Sequence, residues 1–533
     1  MPTPSTGVTA PGSGGGAAET AWLRPLGPVG SSAVSGFPRP RSIAPCPLDE
    51  LAAAVGLDPA ERPPGDRVVT GITHASGDVR PGDLYAALPG SRRHGAEFIA
   101  DAAAAGAVAV LTDPAGAPAA AAAGLPALVV ADPRARLGLA AARVYGDPTA
   151  SLTVIGVTGT AGKTSTTYLI ESGLRAAGHR TGLIGTVETR LGDEVIDSVR
   201  TTPEATDLQA LFAAGCERGL TAVAMEVSSH ALALGRVTGT RFAVGGFTNF
   251  GLDHLDFHRD ADEYFAAKAQ LFDGRCAVEV INLDDPALAS LIGERTLTYS
   301  AAGDPSATWY ALDVVAADFA QRFTAVGPDG VRVTCSVLLP GRHNVANALL
   351  ALACLVAVGV DPHVAARGIG EARGVPGRLE RVPAPGPVTG FVDYAHKPDA
   401  VTAALRALRE NSSGRVICVI GAGGDRDPGK RPVMGAAAAK EADVVVVTDD
   451  NPRSEDPAAI RAQVLAGAGP DAIEVPGRRA AIEEAVRLAE PGDVVAVLGK
   501  GHERGQEVGD EVLPFDDRVE LAAALAARFG TTG

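Results

Sequence analysis

The chain has 533 residues, 46% of them hydrophobic, with 47 Lys and Arg against 63 Asp and Glu, a formal charge of −16. That length exceeds one ordinary core and implies about three domains; the acidic balance argues against nucleic acid or an anionic membrane as main partner, so any anionic ligand needs its own basic and backbone site. Six scattered cysteines without a CxxC pair exclude a disulfide framework and a zinc site and point to a reduced, cytoplasmic protein.

Residues 1–45 are rich in Pro, Gly, Ser and Ala, have no apolar h-region, and read as a disordered tail, not a signal peptide. No apolar run anywhere approaches the ~20 residues of a membrane-spanning helix. Residues 46–148 read as a small α/β unit. Its strands are expected at 67–72, after the Pro81-Gly82 turn up to 87, and at 107–111. A helix is expected at 97–105, and alanine-rich 115–123 is a surface helix or loop. The polar, turn-prone stretch 143–148 marks the first boundary.

The central domain, 149–376, opens with a β-branched run (Leu152, Val154, Ile155, Val157) that reads as a buried strand. The turn Gly159-Thr160-Ala161-Gly162-Lys163-Thr164-Ser165 follows, then a helix with Leu169, Ile170 and Leu174 on its apolar face. Strand, glycine loop and helix in that order cradle a phosphate. The glycines turn backbone N–H groups towards the anion, the helix adds its dipole, Lys163 brings a mobile charge and Thr164 a hydroxyl for Mg²⁺. Val157 stands where the full Walker spacing has glycine, so the loop is a variant. Further strands at 180–186, 222–227, 242–247 and 277–281, with helices at 207–215 and 262–272, imply a mostly parallel sheet covered on both faces. A long apolar helix is expected at 342–358.

The last domain, 377–533, has strands at 388–392, 415–420, 443–448 and 493–498. Each ends in a charged or glycine-rich loop: 393–397, 421–427, 449–453 and 499–503. Ligands of an open α/β sheet bind at the carboxyl ends of its strands, so these four loops should share one crevice. In the central domain Glu226 ends a strand beside the phosphate loop and suits Mg²⁺, although a strand-end glutamate can simply face water. Lys268 lies on an apolar helix face with Ala267 and Leu271, and from the residues alone it reads as a snorkelling lysine.

Several motifs stand in one order: Gly159 to Ser165, Glu226-Val-Ser-Ser-His230, Thr248-Asn249 with Asp253-His254, Tyr264 to Lys268, Gly341-Arg-His-Asn344, Gly377-Arg378-Leu-Glu380 and Asp393-Tyr-Ala-His396. In that order the chain, from about 65 to 515, resembles the Mur ligases of peptidoglycan synthesis. Gly424 to Asp427, Asp450 to Arg453 and Gly499 to Glu503 look like the members that add the third residue of the stem peptide. The resemblance implies three α/β domains: a small N-terminal substrate domain, a central P-loop mononucleotide-binding domain with a parallel sheet, and a Rossmann-like C-terminal domain. It implies ATP and Mg²⁺ as cofactors, with UDP-N-acetylmuramoyl-L-alanyl-D-glutamate and meso-diaminopimelate as substrates, and a monomer is the working expectation.

Carried over by position, the resemblance gives Gly159, Thr160, Ala161, Gly162, Lys163, Thr164 and Ser165 the ATP phosphates. Thr164 and Glu226 take one Mg²⁺, and His254 with a CO₂-carbamylated Lys268 takes a second. Asn344 and Asn347 face adenine, while Arg378, Asp393 and His396 face ribose or phosphates. Ser76, Thr201, Thr202, Ser228 and Arg236 bind the UDP-sugar peptide. Arg426, Asp450, Asn451, Pro452, Arg453, Gly499 and Glu503 bind the incoming amino acid. Lys163, Lys268 and His254 carry the chemistry. Three positions depart from the family pattern: Ala161 replaces Asn, Ala75-Ser76-Gly77 replaces Asp-Ser-Arg, and Leu234 replaces a glutamine of some members.

A carboxylate acylates poorly, so the implied route converts the D-glutamate γ-carboxylate to an acyl phosphate, releasing ADP, before an amine attacks. Other readings are another Mur ligase, including a lysine-adding one, a folylpolyglutamate synthase, or a P-loop ATPase that ligates nothing. The loops 450–453 and 499–503 argue against a folylpolyglutamate synthase and the Mur ligases of other steps.

Overall fold

The computed structural model describes residues 37–63, 66–90, 92–196 and 200–530. The expected tail lies mostly outside them, at 1–36. Its last part, 37–45, departs from the disorder expected of it. Phe37 packs against the apolar cluster around Leu152, Leu208 and Leu211. Arg39 donates to both Asp83 carboxylate oxygens at 2.8 Å, and the N–H groups of Arg41 and Ser42 donate to Glu217 at 3.0–3.1 Å. The physical reason is Asp83, a carboxylate 2% exposed that requires a cation.

Parallel strands Gly71–Thr73, Asp83–Ala87, Ala109–Thr112 and Ala127–Val129 form the first sheet, in chain order. The helix Pro133–Val144 covers it with Leu137, Ala140, Ala141 and Val144. It starts as its sequence dictates, with Pro133 in the first turn and the Asp132 side chain accepting from Ala135 N. This helix runs into 143–148, so the turn itself falls at Gly146 and Asp147, both with positive φ.

The described residues next form an eleven-stranded sheet. Thr181–Ile184, Ala222–Glu226, Thr153–Thr158, Phe242–Phe247, Cys276–Asn282 and Thr296–Ser300 lie side by side and parallel, as the alternation of strands and helices implied. Helix His343–Ala357 packs against this sheet and the phosphate-loop helix Lys163–Ala176; eleven of its fifteen residues are buried, matching its apolar sequence. Sequence reading missed the two flanks. At one side stand Thr189–Leu191 and Glu194–Ile196, at the other Trp309–Ala317, Ala320–Val326 and Arg332–Val337, with the last three antiparallel to one another. Arg332–Val337 alternates exposed and buried side chains, a period-two signal of a half-solvated antiparallel strand. In the turn between Ala317 and Ala320, Asp318 and Phe319 both have positive φ. Phe319 packs onto Phe391 of the third sheet at 4.9 Å between ring centres.

The third sheet holds Glu380–Val382, Thr389–Asp393, Val494–Leu498, Val416–Ile420, Val444–Val447 and Ile473–Glu474 in that spatial order, parallel except for the first. Asp393 and Ile420 both register with Leu498, and Ile420 with Val447, so four strand ends reach one edge. Beyond that edge lies a hairpin absent from the sequence reading, Gly505–Val508 with Glu511–Pro514.

Candidate functional site

Strand Thr153–Thr158 delivers the glycine loop to helix Lys163–Ala176. Gly159 has φ 139°, and a Cβ there would sit 1.9 Å from Thr248 Oγ1. Gly162 has φ 88°, and its Cβ would meet Asn347 Oδ1 at 2.4 Å, so both must be glycine. Ala161 needs no longer side chain to hold the loop. Its N–H donates to Asn249 Oδ1 at 3.1 Å, and its carbonyl accepts from Thr248 Oγ1 at 2.6 Å and Asn249 Nδ2 at 3.1 Å. Lys163 Nζ donates to the Gly159 and Thr160 carbonyls at 2.8 and 3.1 Å, and burial lowers its pKa against the pull of Glu226 and Asp253.

Glu226 does not face water: it is 1% exposed. Its carboxylate accepts from Thr164 Oγ1 at 3.0 Å, Thr186 N at 2.8 Å and Thr186 Oγ1 at 3.1 Å. A hydroxyl and a carboxylate are hard oxygen donors, and this pair fits Mg²⁺. Lys268 does not snorkel either. Its side chain is 1% exposed, its Nζ donates to Gly159 O at 2.7 Å, and it lies 4.6 Å from the centre of the Tyr264 ring. Burial, then the nearby Lys163 charge, push its pKa down to about 6. An amine is a poor Mg²⁺ ligand, so His254 and Lys268 fit a second ion only when Lys268 carries a carboxylate-like group. His254, with φ 53° and a pKa lowered by burial to about 4, is a neutral imidazole 4.8 Å from the His230 ring.

Thr201, Thr202, Ser228 and Arg236 come together beside Glu226. Thr201 Oγ1 lies 3.0 Å from Thr186 Oγ1, and Thr202 Oγ1 donates to Glu226 O at 2.9 Å. Ser228 N donates to Thr202 Oγ1 at 3.1 Å, and Arg236 reaches Thr202 O at 3.3 Å and Glu204 at 2.9 Å. Ser76 sits half-buried on the turn Ser76–Asp78. The contact from that stretch to the central sheet's helix is made by its neighbour His74, with Thr206 at 3.2 Å. Asn344 and Asn347 lie 3% and 5% exposed under the phosphate loop. They bond to each other at 2.9 Å, and Asn344 donates to Pro340 O at 2.8 Å.

At the third sheet's edge, Asp393 accepts from Leu379 N and Ala395 N at 2.7 Å, and its pKa is raised by burial. His396 Nδ1 faces Tyr394 O at 2.8 Å, while the Arg378 guanidinium lies 4.7 Å from the centre of the Tyr394 ring and its Nε is buried without a partner. Lys397 pairs with Asp253 across the crevice, a contact between the two sheets' loops that sequence reading missed although it quoted both motifs. Four non-glycine residues of this crevice have positive φ (His254, Leu379, Asp425 and Arg453), the backbone strain that functional sites retain.

The loops 421–427, 449–453 and 499–503 converge on one crevice, as expected. Gly424 N donates to Asn451 O at 2.8 Å and Gly499 N to Asp393 O at 3.0 Å. A Cβ on Gly499 would lie 2.4 Å from Asp450 Oδ2, and one on Gly424 1.9 Å from Pro452 O. Arg426 is exposed at its loop's tip. Arg453 does not pair with Asp449 or Asp450, the surface partners weighed for it. Its Nε donates to Glu507 at 2.5 Å and its Nη1 to Gly424 O at 2.7 Å, beside a cleft of about 340 Å³ lined by Asp425, Ser454, Glu507 and the hairpin turn. Asp449 instead bonds Arg461 at 2.5 Å. Among the fully buried cations below these loops, Lys500 and Arg478 also went unread. The first stands inside the quoted 499–503 motif; the second pairs with Asp517, whose position only the fold reveals.

Three family models match: "Mur ligase family, catalytic domain" at 68–145, "Mur ligase middle domain" at 157–355, and "Mur ligase, glutamate ligase domain" at 377–501. A relative from Streptomyces avermitilis, named UDP-N-acetylmuramoyl-L-alanyl-D-glutamate--2,6-diaminopimelate ligase, is 55% identical over 92% of this chain and 98% of its own. One of the same name from Streptomyces coelicolor is 55% identical over the same shares. A solved structure of a ligase of that name superposes with TM-score 0.67 at 30% identity, covering 91% of this chain and 99% of that one.

Proposed function

This chain belongs to the Mur ligase family, and from that premise we propose that it joins 2,6-diaminopimelate, taken as its meso form, to UDP-N-acetylmuramoyl-L-alanyl-D-glutamate at the expense of ATP. The enzyme is an ATP-dependent, amide-bond-forming ligase of peptidoglycan precursor synthesis. One observation carries the reading: the phosphate loop and the loops of the third sheet face each other across one crevice, tied by Lys397 and Asp253. The names of the near-full-length relatives support the choice of substrates. The reading includes a cytoplasmic monomer; no helix of the described residues is long and apolar enough to cross a membrane.

The backbone N–H groups of Gly159 to Ser165 bind the ATP phosphates, and Lys163 leaves its carbonyl partners to meet the phosphoryl group that moves. Thr164 and Glu226 hold one Mg²⁺, and His254 with carbamylated Lys268 a second, which supply charge neutralisation on that group when bound. Thr201, Thr202, Ser228, Arg236 and Ser76 hold the sugar nucleotide with its γ-carboxylate towards the phosphate loop. Asn344, Asn347, Arg378, Asp393 and His396 hold the nucleoside end. Closure of the third sheet's loops excludes water from the acyl phosphate while the amine attacks.

The pocket formed by Arg426, Asp450 to Arg453, Gly499 and Glu503 selects the amine. Diaminopimelate carries one carboxylate more than lysine, and a guanidinium grips a carboxylate through paired hydrogen bonds. Because Glu507 already partners Arg453, lysine does not leave that guanidinium bare, and discrimination is smaller than for an empty buried arginine. Arg453→Ala should raise the KM for diaminopimelate by roughly tenfold to a hundredfold, the scale of one or two charge-assisted hydrogen bonds, with the KM for ATP little changed. An unchanged preference for diaminopimelate over lysine in that variant would remove Arg453 from the pocket. The function itself is tested by mass spectrometry of the product from ATP, the UDP-muramoyl dipeptide and competing amino acids. ADP release independent of the other two substrates, or a lysine adduct alone, overturns it.

A further inference from the structure

Lys500 lies on the loop after strand Val494–Leu498, and its side chain is 0% exposed. Its ammonium donates to Asn451 Oδ1 at 2.8 Å and to Glu503 Oε2 at 2.9 Å. An ammonium taken wholly out of water persists only where hydrogen-bonded partners compensate it, and both partners here belong to the amino-acid pocket.

The hydrogen bonds continue in both directions. Asn451 Nδ2 donates to the same Glu503 Oε2 at 2.9 Å, while Asn451 Oδ1 also accepts from Glu507 N at 3.0 Å. These contacts fix which way the Asn451 amide faces. Glu507 then holds Arg453 twice, through its carbonyl at 3.0 Å from Arg453 N and its carboxylate at 2.5 Å from Arg453 Nε. Glu503 is about one-third exposed, and both of these donors end on Oε2 and not on Oε1. One buried cation thus underlies the anion and, through Asn451 and Glu507, the guanidinium.

Resting on the pocket reading above, we propose that Lys500 is the positioning residue for amino-acid selection. It holds the Glu503 carboxylate by its Oε2, with Oε1 aimed at an ammonium group of the incoming diamino acid. The Lys500 side chain is wholly buried, with its ammonium on Asn451 and Glu503. The loop backbones have a separate support: Arg478, paired with Asp517 at 2.7 Å, donates to Leu498 O at 3.0 Å and Asp449 O at 3.2 Å. Removing Lys500 therefore leaves the loops standing and disturbs what they present.

The test compares Lys500→Met, Glu503→Gln and the double variant with wild type, measuring kcat and the KM of each substrate. Lys500→Met should raise the KM for diaminopimelate roughly thirtyfold or more, the scale of breaking a buried hydrogen-bonded charge pair. The KM values for ATP and the UDP-muramoyl dipeptide should stay within about threefold of wild type. Because Lys500 acts through Glu503, the double variant should be no worse than Glu503→Gln alone. Equal increases for all three substrates, additive effects in the double variant, or a wild-type KM in Lys500→Met overturn the proposal. If Lys500→Met does not fold, the double variant, which leaves no unpaired charge, carries the comparison: a KM above that of Glu503→Gln overturns it. A wild-type KM for diaminopimelate in Glu503→Gln would instead overturn the pocket, and the role of Lys500 with it.

Discussion

Replacing Lys163 with alanine lowers kcat by roughly 10²-fold or more in a protein that still folds, because a preorganised charge on the transferring phosphoryl group is lost. The residue opens helix Lys163–Ala176, and its ammonium now bonds two loop carbonyls, Gly159 and Thr160. Both are neutral acceptors, which an anionic phosphate would displace as the stronger partner. The loop does not depend on this contact, since Thr248 and Asn249 pin Ala161 independently. Single-turnover measurement of acyl phosphate formation separates lost chemistry from lost binding. A near-normal rate in Lys163→Ala would assign the transferring phosphate to other groups.

Lys268→Ala should lose activity on a similar scale, roughly 10²-fold, and regain part of it in formate or acetate. With its pKa near 6, the Lys268 amine is mostly neutral at pH 7, and a neutral amine is the form that adds CO₂. Its nitrogen lone pair would bond the CO₂ carbon and one N–H proton would pass to water, giving an anionic carbamate. The nitrogen keeps one N–H, enough to retain the 2.7 Å bond to Gly159 O. The new anion lies within the field of Lys163, which favours it. The sign of the pH dependence follows: occupancy falls as pH drops through about 6, where the amine takes a proton and the nucleophile disappears. Intact-mass spectra of wild type with and without bicarbonate measure the increment of one CO₂. Neither a mass increment nor rescue by small carboxylates would leave Lys268 as a packing residue.

Legibility in the sequence followed burial. Val154, Ile155 and Val157 are apolar on both faces because the strand is covered on both sides, so strand and phosphate loop could be read directly. The flanking strands from Trp309 to Val337 alternate polar and apolar residues, and a reading tuned to buried runs passes over them. Lys268 looked like a surface lysine because the loop that covers it comes from Gly159, more than a hundred residues earlier. The partner of Arg453 was hidden for the same reason. Glu507 belongs to a hairpin whose second strand is wholly exposed, so no hydrophobic pattern announced it. The motifs marked which residues gather at the crevice, while the pairing among them depended on contacts made far along the chain.

The turn at Asp318 and Phe319 has a mechanical consequence. It carries an aromatic ring out of the central sheet and seats it on Phe391, with the Arg381 guanidinium 5.8 Å from the ring centre and Asp318 3.5 Å from Arg381. Phe391 lies on Thr389–Asp393, the strand whose end carries Asp393 into the crevice. The central and third sheets are thus joined at Phe319 on Phe391 as well as at Lys397 on Asp253. A contact at each of these places resists sliding of one sheet past the other, and Phe319→Ala should leave that resistance to the ion pair and the remaining packing.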